Sequence, residues 1–410
     1  MDFDDTPEEA AFRAEAREWL EANVPEATGS GESLVFADVD DKEAVVRGKA
    51  WLKTLFEGGW AGLSWPKQYG GRDCSLMERV IWSQECAKAG APSSINTVGE
   101  GMAGPTIISH GTDEHKERFL PPLLAGDEIW CQLFSEPDAG SDVSAVKTKA
   151  VRDGDEWIVT GQKIWTSGAH YSDWGVLICR TNWDVPKHAG ITYFIVDMHL
   201  PGVDIRPLRQ MTGGASFNEV FFDEVRIPDS LRMGPIDGGW QIAVTTLMNE
   251  RMSIGTGSAA GGFGADEMLS HLSEPDATGR RRSDDPVVRQ LAMRLYSESK
   301  ILQWTGFRAI SKLAKGAIPG PEGSAGKLTL SRITKLAGDL MTASMGMRLV
   351  CDVFPEDEAA SAMFLFMPAL PIAGGTDEVQ KNIIGERVLQ LAREPRVDKD
   401  VPFKDIPASA

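Results

Sequence analysis

The chain has 410 residues, too many for one small core, and its length alone points to two or three domains. Sixty acidic against 42 basic residues give a formal net charge of −18, a field that repels nucleic acid and anionic membrane surfaces and argues against both as partners. No apolar run reaches the ~20 residues of a membrane span, and the scattered cysteines and histidines form no CxxC or HExxH pattern, so no metal site is expected. Asp2, Asp4 and Asp5 make the start unlike a secretory signal or a basic transit peptide, and a cytoplasmic location is the expectation.

The first element reads as a helix. Thr6, Pro7 and Glu9 supply an N-cap, a first-turn proline and the glutamate of a capping box. Phe12, Ala16, Trp19 and Leu20 then recur at helical spacing, and Pro25 ends the run. Helical patterns follow over 42–56 and 76–89, with a turn-rich aromatic stretch between them. A further helix from Glu114 is expected to stop at Pro121-Pro122. The period then changes: 157–160, 176–179, 191–196 and 220–227 are short β-branched and aromatic runs punctuated by glycine and proline. No helical pattern intervenes, so an antiparallel sheet or small barrel is expected rather than a parallel sheet. From Trp240 to about Glu394 the pattern is helical again, with exposed loops expected at 273–286 and 318–326 and a loosely held tail after Pro395. The fold class is therefore α+β: a helical domain over 1–126, an antiparallel β-domain of barrel type over 127–236, a helical domain over 237–395, and a tail over 396–410.

The densest chemical signal is Leu133-Phe134-Ser135-Glu136-Pro137-Asp138-Ala139-Gly140-Ser141-Asp142, followed by Gly161-Gln162-Lys163-Ile164-Trp165-Thr166-Ser167-Gly168. Small and hydroxylated residues beside glycine and proline leave backbone donors free to surround a planar heterocycle, with Ser135 and Ser167 offering hydroxyls to its polar edge. By composition alone the two segments are turns flanking a strand.

These two segments closely resemble the paired signatures of the acyl-CoA dehydrogenase family. The resemblance extends, in order, through Gly101-Met102-Ala103-Gly104-Pro105 with His110-Gly111-Thr112, 118–126, 220–228 and Gly374-Gly375-Thr376-Asp377-Glu378-Val379-Gln380, and so covers nearly the whole chain. It implies a helical domain, a β-barrel domain and a C-terminal four-helix bundle, with FAD as cofactor. It places Gln132, Leu133 and Ser135 against the flavin's pyrimidine side, Trp165 over the ring system and Ser167 near its N5. It further implies that Ser141 contacts the acyl-CoA and that Thr376 and Glu378 hold part of the FAD from the last helix, whose N-terminus suits a diphosphate. Partners implied are the acyl-CoA substrate, an electron-transferring flavoprotein, and further subunits in a homodimer or homotetramer, or in a heteromer.

Removing the α-proton of a thioester needs a carboxylate within reach and dry enough to have a raised pKa. Family members place it at one of two positions. At one of them this chain has Gly374, which cannot act as a base; at the other it has Glu250. On a helix, Glu250 shares a stripe with Ala243, Leu247 and Ile254, so it borders the apolar face, and Arg251 points between Leu247 and Met248 as a substrate-side candidate. The resemblance then implies that Glu250 takes the α-proton while the backbone N–H of Gly374 helps stabilise the developing enolate. The product is a trans-2-enoyl-CoA.

Two departures stand out. The family's Arg-x-x-Phe-Gly segment, which grips FAD across subunits, is replaced here by Gly279-Arg280-Arg281-Arg282-Ser283, with Arg280 the candidate diphosphate contact. A Gly-Gly-x-Gly run is degraded to Ser344-Met345-Gly346-Met347. Alternatives are therefore a subunit of a heteromeric dehydrogenase, with partial or no activity alone, and a flavin monooxygenase on the same fold. Met102, Met248 and Phe366 are candidate pocket residues, although plain core is the simpler assignment.

Overall fold

Thr6 accepts the amide of Glu9 while the Glu9 carboxylate accepts the amide of Thr6, so the expected capping box closes and helix α1 runs Pro7–Asn23. A computed structural model describes residues 5–25, 38–260, 265–275, 278–314, 320–321, 323–351, 357–395 and 398–407. Helices α2 (Lys42–Glu57), α3 (Leu76–Ala89), α4 (Gly104–His110) and α5 (Asp113–Ala125) follow. Strands β1 (Trp130–Leu133), β2 (Lys149–Asp153), β3 (Glu156–Ser167), β4 (Trp174–Arg180), β5 (Ile191–Asp197), β6 (Val203–Leu208), β7 (Phe217–Pro228) and β8 (Arg232–Met233) come next. Helices α6 (Gly239–Ala260), α7 (Ala265–Ser273), α8 (Pro286–Ala314), α9 (Gly323–Met345), α10 (Glu358–Phe366) and α11 (Asp377–Ile383) complete the order. The helical, β and helical succession is the one expected.

The chain divides into two compact units, each assembled from separate stretches. One comprises 1–31, 74–91 and 251–393. Its core is built where α8 and α9 present Val288, Leu295, Ile333, Leu336 and Leu340 at helical spacing, with Met367 beside them. Helices α1 and α3 are joined by a charge cluster: Glu85, 2% exposed, accepts Arg13 and Arg17 at 2.9 Å and Lys88 at 2.7 Å.

The other unit comprises 32–73, 92–250 and 394–410 and holds the whole sheet. The strand order is β6-β7-β3-β2-β4-β5-β8, with β1 also paired to β4. Two of these pairings, β1 with β4 and β2 with β4, are parallel, so the sheet is mixed rather than purely antiparallel. The hairpin of β2 and β3 lies between β1 and β4 in the sequence and gives the chain length to return in the same direction. Alternate side chains of the strands, among them Leu133, Val159, Leu177, Phe194, Val220 and Phe222, form one buried cluster.

Two further expectations are corrected. Helix α5 does not stop at Pro121-Pro122 but runs through both to Ala125, where Gly126 takes a left-handed φ of 75° as the cap. The two missing backbone donors cost less than the burial of Phe119, Leu120, Leu123 and Leu124 on the same turns contributes. Nor are residues 398–407 loose. The amides of Phe403 and Lys404 donate to the carbonyls of Val185 (2.8 Å) and Trp183 (3.0 Å), and the Phe403 ring is buried. The loop expected at 318–326 lies partly outside the described residues, and α9 already begins at Gly323. Among the described residues no helix is long and apolar enough to cross a membrane.

Burial alone would push the Glu85 carboxyl up, but Arg17, Lys88 and Arg13 outweigh it and bring its pKa down from 4.5 to about 2. A depressed carboxylate contributes stability above its unfolded pKa and loses it as the pH falls towards the folded value. Glu85→Gln is expected to cost about 2–3 kcal/mol at pH 7. In denaturant titrations this difference should shrink as the pH drops from 4.5 towards 2.

Candidate active site

Strands β1 and β3 bring the two signature segments together. The amide of Ile164 donates to the carbonyl of Ser135 at 2.9 Å. Beneath that contact lies Lys163, whose ammonium has no exposure and donates to the carbonyl of Phe134 at 3.0 Å and to Glu136 Oε1 at 2.8 Å. Glu136 also accepts the amides of Lys147 and Thr148, at 2.6 and 2.9 Å. Burial would push this carboxyl up; the charge and hydrogen bond of Lys163, with the hydroxyl and amide donors, hold it below the ordinary carboxylate range instead. The pair Lys163–Glu136 thus ties the loop around Ser135 to β3. Both residues lie inside the quoted motifs, yet neither was singled out from sequence.

Between Lys163 and Thr166 the register with β7 slips, and Trp165 occupies the bulge with φ at 59°. Left-handed backbone is unfavourable for a bulky residue, and its effect here is to turn the indole outward, 60% exposed, edge-on to Phe217 at 6.0 Å. Ser167 ends the same strand, half-buried. On β1, Leu133 is fully buried. Gln132 is half-buried, and its Nε2 is buried without a hydrogen-bond partner. Five predicted residues, Gln132, Leu133, Ser135, Trp165 and Ser167, therefore lie together along β1, its following loop and β3. Ser141 is exposed further along that loop.

Helix α6 carries Glu250 in the same unit. Its placement rests on a buried hydroxyl junction: Thr246 Oγ1 lies 3.0 Å from both Thr106 Oγ1 on α4 and Tyr193 Oη on β5. His110 Nε2 meets Thr245 Oγ1 at 2.8 Å. One turn beyond Thr246, Glu250 is half-buried, on the stripe where Ala243 is fully buried. The side chains of Arg251 and Ile254 lie outside the described residues. Met102 is core, Phe366 is half-buried, and Met248 is 42% exposed, so plain core does not describe it.

The remaining predicted residues belong to the other unit. Gly374 and Gly375 take left-handed φ values of 64° and 86°, and Gln380 donates to both carbonyls at 3.0 and 3.4 Å. Thr376 caps α11 by accepting the amide of Val379 at 3.2 Å, and Glu378 is exposed one position into the first turn. Arg280 is exposed on the loop before α8. Among the described residues no cluster of three or more His, Cys, Asp and Glu is placed to hold a metal ion.

One acidic residue escaped the sequence reading. Glu100 lies in the π-helical turn Gly99–Ala103, a distortion often found at functional sites. The turn is held by Trp65, whose Nε1 donates to the Glu100 carbonyl at 3.1 Å. Gly104 packs so close that a Cβ would lie 2.0 Å from the Trp65 ring. The Glu100 carboxyl accepts Ser94 Oγ at 3.3 Å, and burial pushes its pKa up from 4.5 to about 7.

Three family models match this chain in succession: the acyl-CoA dehydrogenase N-terminal domain over 6–127, middle domain over 131–225 and C-terminal domain over 237–389. These matches define an oxidoreductase, and the chain belongs to the acyl-CoA dehydrogenase family. It is similar to acyl-CoA dehydrogenase IpdE1 of Mycobacterium tuberculosis, 37% identical over 395 residues that span 94% of this chain and 98% of the relative. Acyl-CoA dehydrogenase FadE34 of the same organism is 42% identical over 341 residues, 83% of this chain but only 46% of that longer protein. Among solved structures, the Tcur3481–Tcur3483 steroid ACAD superposes with a TM-score of 0.81 at 27% identity, covering 96% of this chain and all of that one. The ChsE4–ChsE5 complex of Mycobacterium tuberculosis gives 0.78 at 30% identity with the same coverage.

Two outcomes follow from the buried charges. Lys163→Met strands the Glu136 carboxylate, and thermal unfolding should show a loss on the order of 3–5 kcal/mol. For Glu100 the sign is opposite to that of Glu85: stability is complete below the unfolded pKa of 4.5 and falls as the pH rises through about 7. Melting temperatures of Glu100→Gln followed across that range should therefore decline less than those of the parent; equal declines would refute the burial argument.

Proposed function

We propose that this chain catalyses FAD-dependent α,β-dehydrogenation of an acyl-CoA thioester to the trans-2-enoyl-CoA, with Glu250 as the base. The observation that carries the cofactor assignment is the exposed indole of Trp165, held outward against its backbone preference beside Ser135 and Ser167. The buried, unpartnered Nε2 of Gln132 on β1 fits a ring system that brings its own acceptors. FAD, when bound, supplies the hydride acceptor.

The residues divide the remaining work. Leu133, Gln132 and Ser135 line the polar side of the ring, Trp165 covers its face, and Ser167 offers a hydroxyl. Thr376, Glu378 and Arg280 hold the rest of the cofactor. Ser141 and Arg251 meet the acyl-CoA. Glu250 removes the α-proton, and the Gly374 amide stabilises the charge that develops on the thioester oxygen, a contribution of about 3 kcal/mol for one oriented donor. The middle sheet is read as the barrel, and the C-terminal helices as the four-helix bundle, that the family implies. Electrons leave to an electron-transferring flavoprotein. The base position favours long or branched chains, and the steroid-acting structural relative makes ring-bearing acyl-CoAs the first class to test.

A second reading, a subunit of a heteromeric dehydrogenase, is favoured by the paired chains of the two solved relatives. Mass and FAD content of the singly expressed chain distinguish it from a homodimer or homotetramer.

The function is tested by anaerobic titration with straight-chain, branched and ring-bearing acyl-CoAs, following bleaching of the oxidised flavin. Glu250→Gln should slow bleaching by roughly 10²–10⁴-fold while FAD remains bound; bleaching at the parent rate would remove Glu250 from the mechanism.

A further inference from the structure

The loop that carries Ser141 is exposed at Pro137, Asp138, Gly140, Ser141 and Asp142, and beyond the isolated bridge of Glu136 with Ala139 it holds no regular structure until the short turn at Val143–Ala145. Such a segment would have to be ordered whenever a ligand bound to it, unless something already holds it. Glu136 and Ala139 exchange backbone hydrogen bonds at 3.1 and 3.0 Å, and Lys147 Nζ lies 3.2 Å from Asp138 Oδ2. Two further cations hold the stretch from Asp142 onward. Lys187 Nζ lies 2.5 Å from Asp142 Oδ2. Arg180, with no exposure, donates to the carbonyls of Ser144 at 2.6 Å, Val146 at 3.3 Å and Lys187 at 2.6 Å. Both cations are in turn engaged by the C-terminal segment. Asp398 Oδ2 is 2.5 Å from Lys187 Nζ. The Phe403 ring covers the Arg180 guanidinium at 3.9 Å and packs on Trp183 at 5.2 Å. All of these residues belong to the same unit.

We propose that residues 398–407 brace the Ser141 loop, Asp398 acting on Lys187 and Phe403 on Arg180, and thereby set the affinity for acyl-CoA. The role rests on the reading that Ser141 meets the acyl-CoA. Asp398 and Phe403 touch no reacting atom; they are positioning residues. The flavin side is tied independently, through Lys163 to Phe134 and Glu136, so the brace can be released without disturbing it. Loss of the Phe403 ring opens the Arg180 guanidinium to water, which competes with the Ser144 and Val146 carbonyls. Loss of the Asp398 charge removes one of the two carboxylates that fix the Lys187 ammonium.

The test uses the full chain carrying Phe403→Ala or Asp398→Asn, with Phe403→Leu as the conservative control and the acyl-CoA of highest kcat/KM from the panel above. Hydrogen exchange of residues 138–146 should quicken roughly tenfold in Phe403→Ala. KM should rise about fivefold with kcat within about twofold. The flavin absorbance band should be unchanged, and Phe403→Leu should recover most of the loss. Unaltered loop exchange in both variants overturns the brace and leaves the Ser141 reading intact. Quickened exchange with KM unmoved, in Phe403→Ala and Ser141→Ala alike, overturns the Ser141 reading and the affinity role with it.

Discussion

A single ammonium with no access to water organises the site. Lys163 must find acceptors in the interior, because an unpaired buried charge costs several kcal/mol, and it takes them from Phe134 and Glu136. Those two residues flank Ser135. Lys163 itself is two positions before Trp165 on the same strand. One charge therefore fixes the backbone on both sides of a hydroxyl and the strand from which the indole projects. The loop geometry that the proposed chemistry requires is a by-product of satisfying that charge.

Three buried or half-buried glutamates show how environment alone sorts one functional group into different roles. Glu85 meets three cations and is held near the acidic limit. Glu136 meets one cation and two amides and remains ionised below its usual range. Glu100 has a hydroxyl at 3.3 Å to offset burial, and can hold a proton close to neutrality. The first two are structural anchors. The third, on a distorted helical turn, is the one of the three whose carboxyl pKa burial brings close to neutrality.

Much of the fold was legible because its signals are local. The capping box at Thr6, the helix over 76–89 and the four longest β-rich runs were all found where periodicity placed them. What escaped notice is non-local or weakly patterned. Strands β1 and β8 are short and pair with β4 and β5, which lie far from them in sequence. Strands β2 and β6 pair with the strands that follow them but are largely exposed, and so carry little apolar pattern. The parallel return of β4 beside β1 has no sequence mark at all. Helix α5 was cut short because proline was weighed against propensity alone, without the burial that carries the helix onward. At the site, the motif residues did come together along β1, its following loop and β3, whereas Lys163 and Glu136, charged residues in a turn-like composition, looked solvated. Their signal was present: a lysine inside an apolar strand that needs a counter-ion. The C-terminal segment was passed over for a related reason, since a lone phenylalanine among prolines and charges gives no period to detect.

The bulge at Trp165 sets two preferences of one residue against each other. Its backbone conformation is the kind that glycine adopts freely, while every use of the position depends on a wide flat ring that glycine lacks. Relaxing the strand by shortening the side chain would erase the surface; regularising the register would swing the ring to the opposite face of the sheet. The position is therefore intolerant in both directions, and variation around it is free only where strand and ring can change together.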